Sequence, residues 1–211
     1  MPKTPEDTGP RSPMELILAS TSRYRAALLE RLGLPFATVA PEVDETPRPG
    51  EAPQDLVRRL AIAKARAGAQ RCPGALVIGS DQLAALDDEV LGKPGTEARA
   101  REQLARLSGR SVTFLTGLCL LDSQQEQVEV VETPVRFRTL TEQQIADYVA
   151  REQPLDCAGA FKSEGLGIAL FEALGGSDPN ALIGLPLIAL TTMLMNAGSP
   201  VLGADPAEAV P

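Results

Sequence analysis

The stretch ELILASTSRYRAALLERLG, residues 15–33, changes character twice. Residues 15–19 are mostly apolar and read as a short buried strand. Ser20, Thr21 and Ser22 interrupt the run, and an amphipathic helix follows with Ser22 as its N-cap and Gly33 as its stop. A strand that passes into a helix through small hydroxyl residues exposes several backbone N–H groups together. The helix dipole adds to their field, and the result is an anion site by geometry. Arg25, Leu29 and Leu32 fall at i, i+4 and i+7, so Arg25 shares a face with two leucines. An ordinary serine cap with surface arginines is the plainer reading, and spacing alone leaves both open.

Working outward, a second strand is expected over 36–43, then an acidic, proline-rich loop and a helix over 54–70. An apolar strand over 75–79 leads to a turn and a short hairpin at Asp87-Asp88. Thr96 and Gly109 bracket a further helix. Residues 111–122 and 127–140 pair as long antiparallel strands across SQQE, and a T-x-x-Q capping box at Thr141 and Gln144 opens the next helix. The apolar segment 181–198 is broken by Pro186 and paired threonines, so it reads as a core helix starting near Pro186 and not as a membrane span. Strands and helices mixed in this way, with a long hairpin inserted midway, predict an α/β or α+β fold with a mixed sheet. The hairpin and its following helix are placed in a second lobe, with a cleft between the lobes. The expected organisation is a single domain over 15–198 between loose tails, 1–14 and 199–211.

The chain has 211 residues, 44% apolar and 23% charged, enough for a sizeable core. Net charge is −8, which argues against tracking a nucleic acid polymer, where phosphate contacts need a basic footprint. A local cluster of Lys and Arg can still bind one small anion. The N-terminus lacks an apolar secretory segment. Three separated cysteines without C-x-x-C fit a reducing cytoplasm and no disulfide or zinc scaffold. There is no histidine, so Ser-His and Cys-His nucleophile schemes and His-ligated metals are excluded. Acid–base chemistry then falls to carboxylates, lysine or tyrosine.

Candidates for that chemistry are spread along the chain. Leu56, Leu60 and Lys64 form one helical row; Lys64 either snorkels to water or projects into the cleft. In VIGSDQ, Asp81 stands just after the expected carboxyl end of a strand, where ligand crevices open in α/β sheets. It can ligate a divalent cation or activate water, or serve as a turn aspartate. LGKP supplies Lys93, and EVDE supplies Glu42, Asp44 and Glu45 as Mg²⁺ ligands or as a solvated loop. FKSEGLG places Phe161, Lys162 and Glu164 in one turn-rich stretch. EGLGIAL has Leu170 where a dinucleotide loop needs its third glycine, and no P-loop exists. Scattered cations, several acids and an N–H-rich turn suit a magnesium-bound polyphosphate attacked by water.

These residues carry a resemblance. From about Leu16 to Ala197 the chain resembles the Maf proteins, nucleoside triphosphate pyrophosphatases, through LASTSRYRAALL, PEVDET, RLAIAKA, VIGSDQ, LGKP, LSG…TGL, CAGAFKSEGLG and GLPL, in that order. The resemblance implies a mixed α/β fold with a long twisted central sheet and two lobes around a cleft, like the inosine triphosphate pyrophosphatases. It implies hydrolysis of a nucleoside triphosphate to monophosphate and diphosphate with a divalent cation, Mg²⁺ or Mn²⁺, and a homodimer. Asp81 would be the general base. Ser20, Ser22, Arg25, Lys64 and Lys93 would hold phosphates, Lys162 would lie in the cleft, and Glu45 would join Asp81 at the metal. Many members read S-P-R-R and A-D-T and act on dTTP and UTP. Here Arg23 stands in place of the proline, Tyr24 replaces an arginine, Gln82 a threonine, and Glu164 a glutamine. Tyr24, Gln82 and Glu164 look like the branch acting on 7-methyl-GTP. That base is cationic, so Glu164 can accept from its N–H groups and offset its charge while Tyr24 stacks on the ring. The rival readings are a dTTP/UTP pyrophosphatase and a nucleotide-binding cell-division regulator with little turnover.

Overall fold

The computed structural model describes residues 14–87 and 89–203. Most of both expected tails, and Asp88 at the expected hairpin tip, lie outside the described residues.

The opening stretch forms β1 (Leu16–Ala19) and α1 (Arg23–Glu30), with the Ser22 hydroxyl capping the Arg25 N–H. Strand β2 (Ala37–Val39) is much shorter than the eight residues expected, because the proline-rich loop claims the rest. Helix α2 (Pro53–Arg71) begins at a proline, which suits the first turn since it has no N–H to satisfy. Strands β3 (Leu76–Leu86) and β4 (Glu89–Leu91) form the short hairpin, and α3 (Glu97–Leu107) follows under its Thr96 cap. The long hairpin is β5 (Ser111–Leu121) and β6 (Glu126–Phe137). Helix α4 (Glu142–Glu152) carries both arms of the capping box. Strand β7 (Phe171–Leu174) was not expected, and α5 (Leu187–Asn196) starts directly after Pro186.

The strands make one mixed sheet in the order β2-β1-β3-β5-β6-β7, with β4 attached to β3. One face of the sheet lies under α2. Leu56, Val57 and Leu60 pack on Leu83, Ala85 and Leu115, while Ala61 and Ala65 meet Cys119. The other face carries two separate cores. One joins α1 and α5 to Leu76, Ile78 and Leu118; the second joins α3 and α4 to Ala84, Leu86 and Phe114. Four phenylalanines, Phe114, Phe137, Phe161 and Phe171, meet edge to face in the second core. The two lobes are these two cores, spanned by the long strands β3, β5 and β6.

Strand β3 corrects the sequence reading. It does not stop at Gly79 but continues to Leu86, so Asp81 lies mid-strand. What stops there is its neighbour. Strand β1 pairs with β3 only as far as Ala19↔Gly79, and β4 takes up the same side at Ala84↔Leu91. On its other side β3 is paired with β5 throughout, from Val77 to Ala85. Residues 80–83 therefore present a bare edge where the sheet splits between the lobes.

Candidate active site

The bare edge places Asp81 and Gln82 on opposite faces, since alternate strand residues point opposite ways. Asp81 turns towards α2, whose buried row Leu56, Leu60, Lys64 ends beside it. Lys64 does not snorkel. Its ammonium donates to Asp81 Oδ1 at 2.6 Å and lies 2.7 Å from Glu45 Oε1. Lys64 is 6% exposed and Asp81 9%, whereas the Glu45 carboxyl faces solvent. The hydrogen bond from Lys64 holds the Glu45 carboxyl below its ordinary value; Lys93 and Arg25 pull the same way.

Arg25 crosses from α1 towards the same point. Its Nε donates to the Gly184 carbonyl at 2.8 Å, and its Nη1 reaches Ser20 Oγ at 3.5 Å. Burial pushes its guanidinium below the ordinary value, while Asp81 and Glu45 act against that shift. Ser20 Oγ also accepts from Ser22 N–H at 3.1 Å. The turn thus spends part of its N–H set on its own hydroxyls, and the first-turn N–H groups of Arg23 and Tyr24 have no acceptor among the described residues.

On the Gln82 face lies a cavity of about 190 Å³. Its polar lining includes Ser22, Arg25, Lys93 and Gln82, together with Tyr24, Glu164, Asp156 and Cys157. Phe114, Phe161, Leu182 and Ile183 supply apolar walls. Gln82 commits its amide nitrogen to the carbonyls of Ala181 and Leu182, at 2.8 and 2.9 Å, and to Thr116 Oγ1 at 3.1 Å. Tyr24 already has a cation beside it, since Arg23 donates to its hydroxyl and lies 4.9 Å from its ring centroid.

The residues proposed for phosphate and proton chemistry therefore converge, and those proposed for specificity line the adjoining cavity. Lys162 does neither. Its ammonium donates to the carbonyls of Glu152 and Gln153, capping the end of α4, and it is absent from the cavity wall. Sequence reasoning missed Asp156, Cys157 and the segment 178–184. Asp178, 2% exposed, anchors that segment by accepting from Asn180 N–H and Ile188 N–H. The turn-forming run Asp178-Pro179-Asn180 is a local sequence cue to it.

Residues 15–197 match the family described as Maf-like protein. The chain belongs to the Maf family. Among Maf relatives, a protein of Nitrosococcus oceani named 7-methyl-GTP pyrophosphatase is 58% identical, over 90% of this chain and 97% of its own. One of the same name from Alkalilimnicola ehrlichii is 58% identical, over 90% and 96%. Among solved structures, the Staphylococcus aureus Ham1 protein is a distant likeness at 15% identity and TM-score 0.49, covering 87% of this chain and 99% of its own.

The donor set of this Maf protein fits a hard divalent cation of a particular kind. Among the described residues no group of three or more acidic, histidine or cysteine side chains is placed to hold a metal ion by itself. Glu45 and Asp81 offer two carboxylates, and Lys64 engages only one oxygen of each. Mg²⁺ is commonly held by one or two carboxylates with substrate phosphates and waters completing the shell.

Proposed function

We propose that this Maf protein hydrolyses 7-methyl-GTP, or a closely similar modified purine nucleotide, to the monophosphate and diphosphate. The observation that carries the reading is the convergence of Arg25, Lys64 and Lys93 on the Glu45 and Asp81 carboxylates, beside a cavity lined by Tyr24, Gln82 and Glu164. The name borne by relatives at 58% identity supports the choice of base.

In this reading the triphosphate lies along the bare edge of β3. Arg25, Lys93 and the N–H groups opening α1 neutralise and orient its oxygens. Asp81 takes the proton of the attacking water, and Lys64 holds that carboxylate in place. Glu45 and Asp81 would hold the divalent cation, which supplies charge neutralisation at the phosphates when bound. The base enters the cavity, where Glu164 offsets its positive charge and accepts from its N–H groups. A thymine ring, with one N–H donor and no charge, would leave that carboxylate poorly matched. Among the described residues no helix is long and apolar enough to cross a membrane, and a cytoplasmic location belongs to the same proposal.

The test is a panel of nucleoside triphosphates assayed for diphosphate release with Mg²⁺ and Mn²⁺. The expected result is a clear preference for 7-methyl-GTP over GTP and dTTP; a preference for dTTP defeats the assignment. Asp81→Asn is expected to abolish diphosphate release while nucleotide binding survives. Near-normal turnover in that variant removes Asp81 as the base.

A further inference from the structure

Ser80 precedes the proposed base and is fully buried, with its side chain on the cavity face of the sheet. Its hydroxyl lies 2.9 Å from the Gly117 carbonyl on β5 and 2.9 Å from the Gly184 carbonyl. One hydroxyl hydrogen is shared between the two, tying a sheet carbonyl to a loop carbonyl. The Gly184 carbonyl also receives the Arg25 Nε, at 2.8 Å. Its two lone pairs are thus taken by one group from the sheet and one from the site.

Gly184 can present its carbonyl this way because its φ is +116°, a conformation open to glycine. A Cβ there would also stand 3.4 Å from Arg25 Nε. The preceding carbonyls of the same segment are held by Gln82 and Thr116, whose hydroxyl donates to Ala181 at 2.8 Å. The 181–184 turn is therefore strapped to β3 and β5 through the carbonyls of Ala181, Leu182 and Gly184.

We infer that Ser80 is a positioning residue, which fixes through the Gly184 carbonyl the place where Arg25 presents its guanidinium to the phosphates. The inference rests on the reading of Arg25 as a phosphate ligand. Ser80 itself touches no part of the substrate. Without its hydroxyl, Gly184 keeps Arg25 as a partner but loses its own tie to the sheet, and the Gly184 end of the turn, with the arginine on it, is less firmly placed even though Ala181 and Leu182 stay held.

The experiment uses the full chain and inorganic tripolyphosphate, a probe with no base, as a competitive inhibitor of diphosphate release. Ser80→Ala is expected to weaken tripolyphosphate inhibition by about three- to tenfold, the range for one hydrogen bond, and to raise KM for the nucleotide by a similar factor. Ser80→Cys, which keeps the volume and a weak donor, is expected to fall between Ala and the parent; it carries the test if the alanine variant fails to fold. Either effect should vanish in an Arg25→Ala background, because the serine acts through the arginine. A lowered Tm with unchanged tripolyphosphate inhibition overturns the inference and leaves Ser80 a structural residue. An effect of equal size with and without Arg25 overturns it as well. If Arg25→Ala alone leaves tripolyphosphate inhibition unaltered, the reading of Arg25 as a phosphate ligand fails, and the inference falls with it.

Discussion

Lys64 shows how one buried charge serves both stability and chemistry. Its ammonium lies between two carboxylates, and Asp81 is nearly as buried as the lysine itself. Lys64→Met keeps the volume and removes the charge, leaving Asp81 without its counter-ion. The expected loss is roughly 2–3 kcal/mol, less than for a fully enclosed pair because Glu45 stays wet. Thermal or urea melts at pH 7 would measure it. The pH dependence has a definite sign. The Glu45 carboxyl is depressed below its ordinary 4.5, chiefly by the hydrogen bond from Lys64. Its contribution is therefore present above that value and is lost as pH falls through the folded-state value. In Lys64→Met this part of the acid dependence should shrink to the smaller pull of Lys93 and Arg25. Asp156, invisible to the sequence reading, makes a second case. It lines the cavity with Glu164, and the Cys157 thiol there is pushed up to about 12, mainly by burial, with Asp156 adding to the shift. A cationic base would meet that negative field. Asp156→Asn is expected to lower the preference for 7-methyl-GTP over GTP by about two- to fivefold, as befits a partly solvated charge. Equal losses on both substrates would remove Asp156 from base selection.

At the scale of elements, the site depends on how closely α2 lies against the sheet. Strands β3 and β5 carry Gly79 and Gly117 beneath the helix. A Cβ on Gly79 would stand 2.2 Å from the Ala61 carbonyl, and one on Gly117 2.4 Å from that of Val57. Both neighbours are backbone, so neither can turn aside. Gly79→Ala must push the helix outward, and Lys64 lies one turn past Ala61. The expected cost is about 1–3 kcal/mol of overpacking, with diphosphate release falling in step as Lys64 leaves Asp81. A variant that melts earlier yet turns over normally would separate the helix seat from the site.

The same elements show what the sequence displayed. Helices α1, α3 and α4 announced themselves through caps at Ser22, Thr96 and Thr141, which are local signals. The Leu56–Leu60–Lys64 row is equally local; it puts Lys64 on a buried face but leaves open whether the ammonium reaches water or the cleft. In sequence, the apolar run of strand β3 ends at Gly79, because Ser80, Asp81 and Gln82, all polar, break it. Their needs are met by partners far along the chain: Gly184, Lys64 and the carbonyls of Ala181 and Leu182. A polar run that breaks a strand pattern and one that is satisfied at a distance look identical in sequence. Strand β7 is four residues on a sheet edge, too short for an alternation to register.

Over the whole molecule, the site is assembled from pieces that no single lobe supplies. The turn after β1, the loop carrying Glu45, helix α2, the bare edge of β3, Lys93 after β4 and the 181–184 segment all reach it. Among the described residues, Glu45 and Asp81 are the two carboxylates proposed to hold the metal, and Lys64 already satisfies one oxygen of each. A divalent cation held there would find few free ligands on the protein, and phosphate oxygens would complete its shell. Metal and nucleotide binding should therefore be linked. Mg²⁺ alone is expected to leave Tm within about 1 °C of the metal-free protein, since a ligand that hardly binds the folded state hardly stabilises it. An α,β-methylene analogue of 7-methyl-GTP cannot be split at the proposed bond and can be added with Mg²⁺. At about 100 times its Kd it should contribute about 2.7 kcal/mol, or about 5–10 °C for a chain of this length. The analogue without metal should give a smaller rise, because Arg25 and Lys93 then face the phosphates unaided. A full rise with Mg²⁺ alone would mean that the protein builds a complete metal cage, which two carboxylates tied to one lysine do not provide.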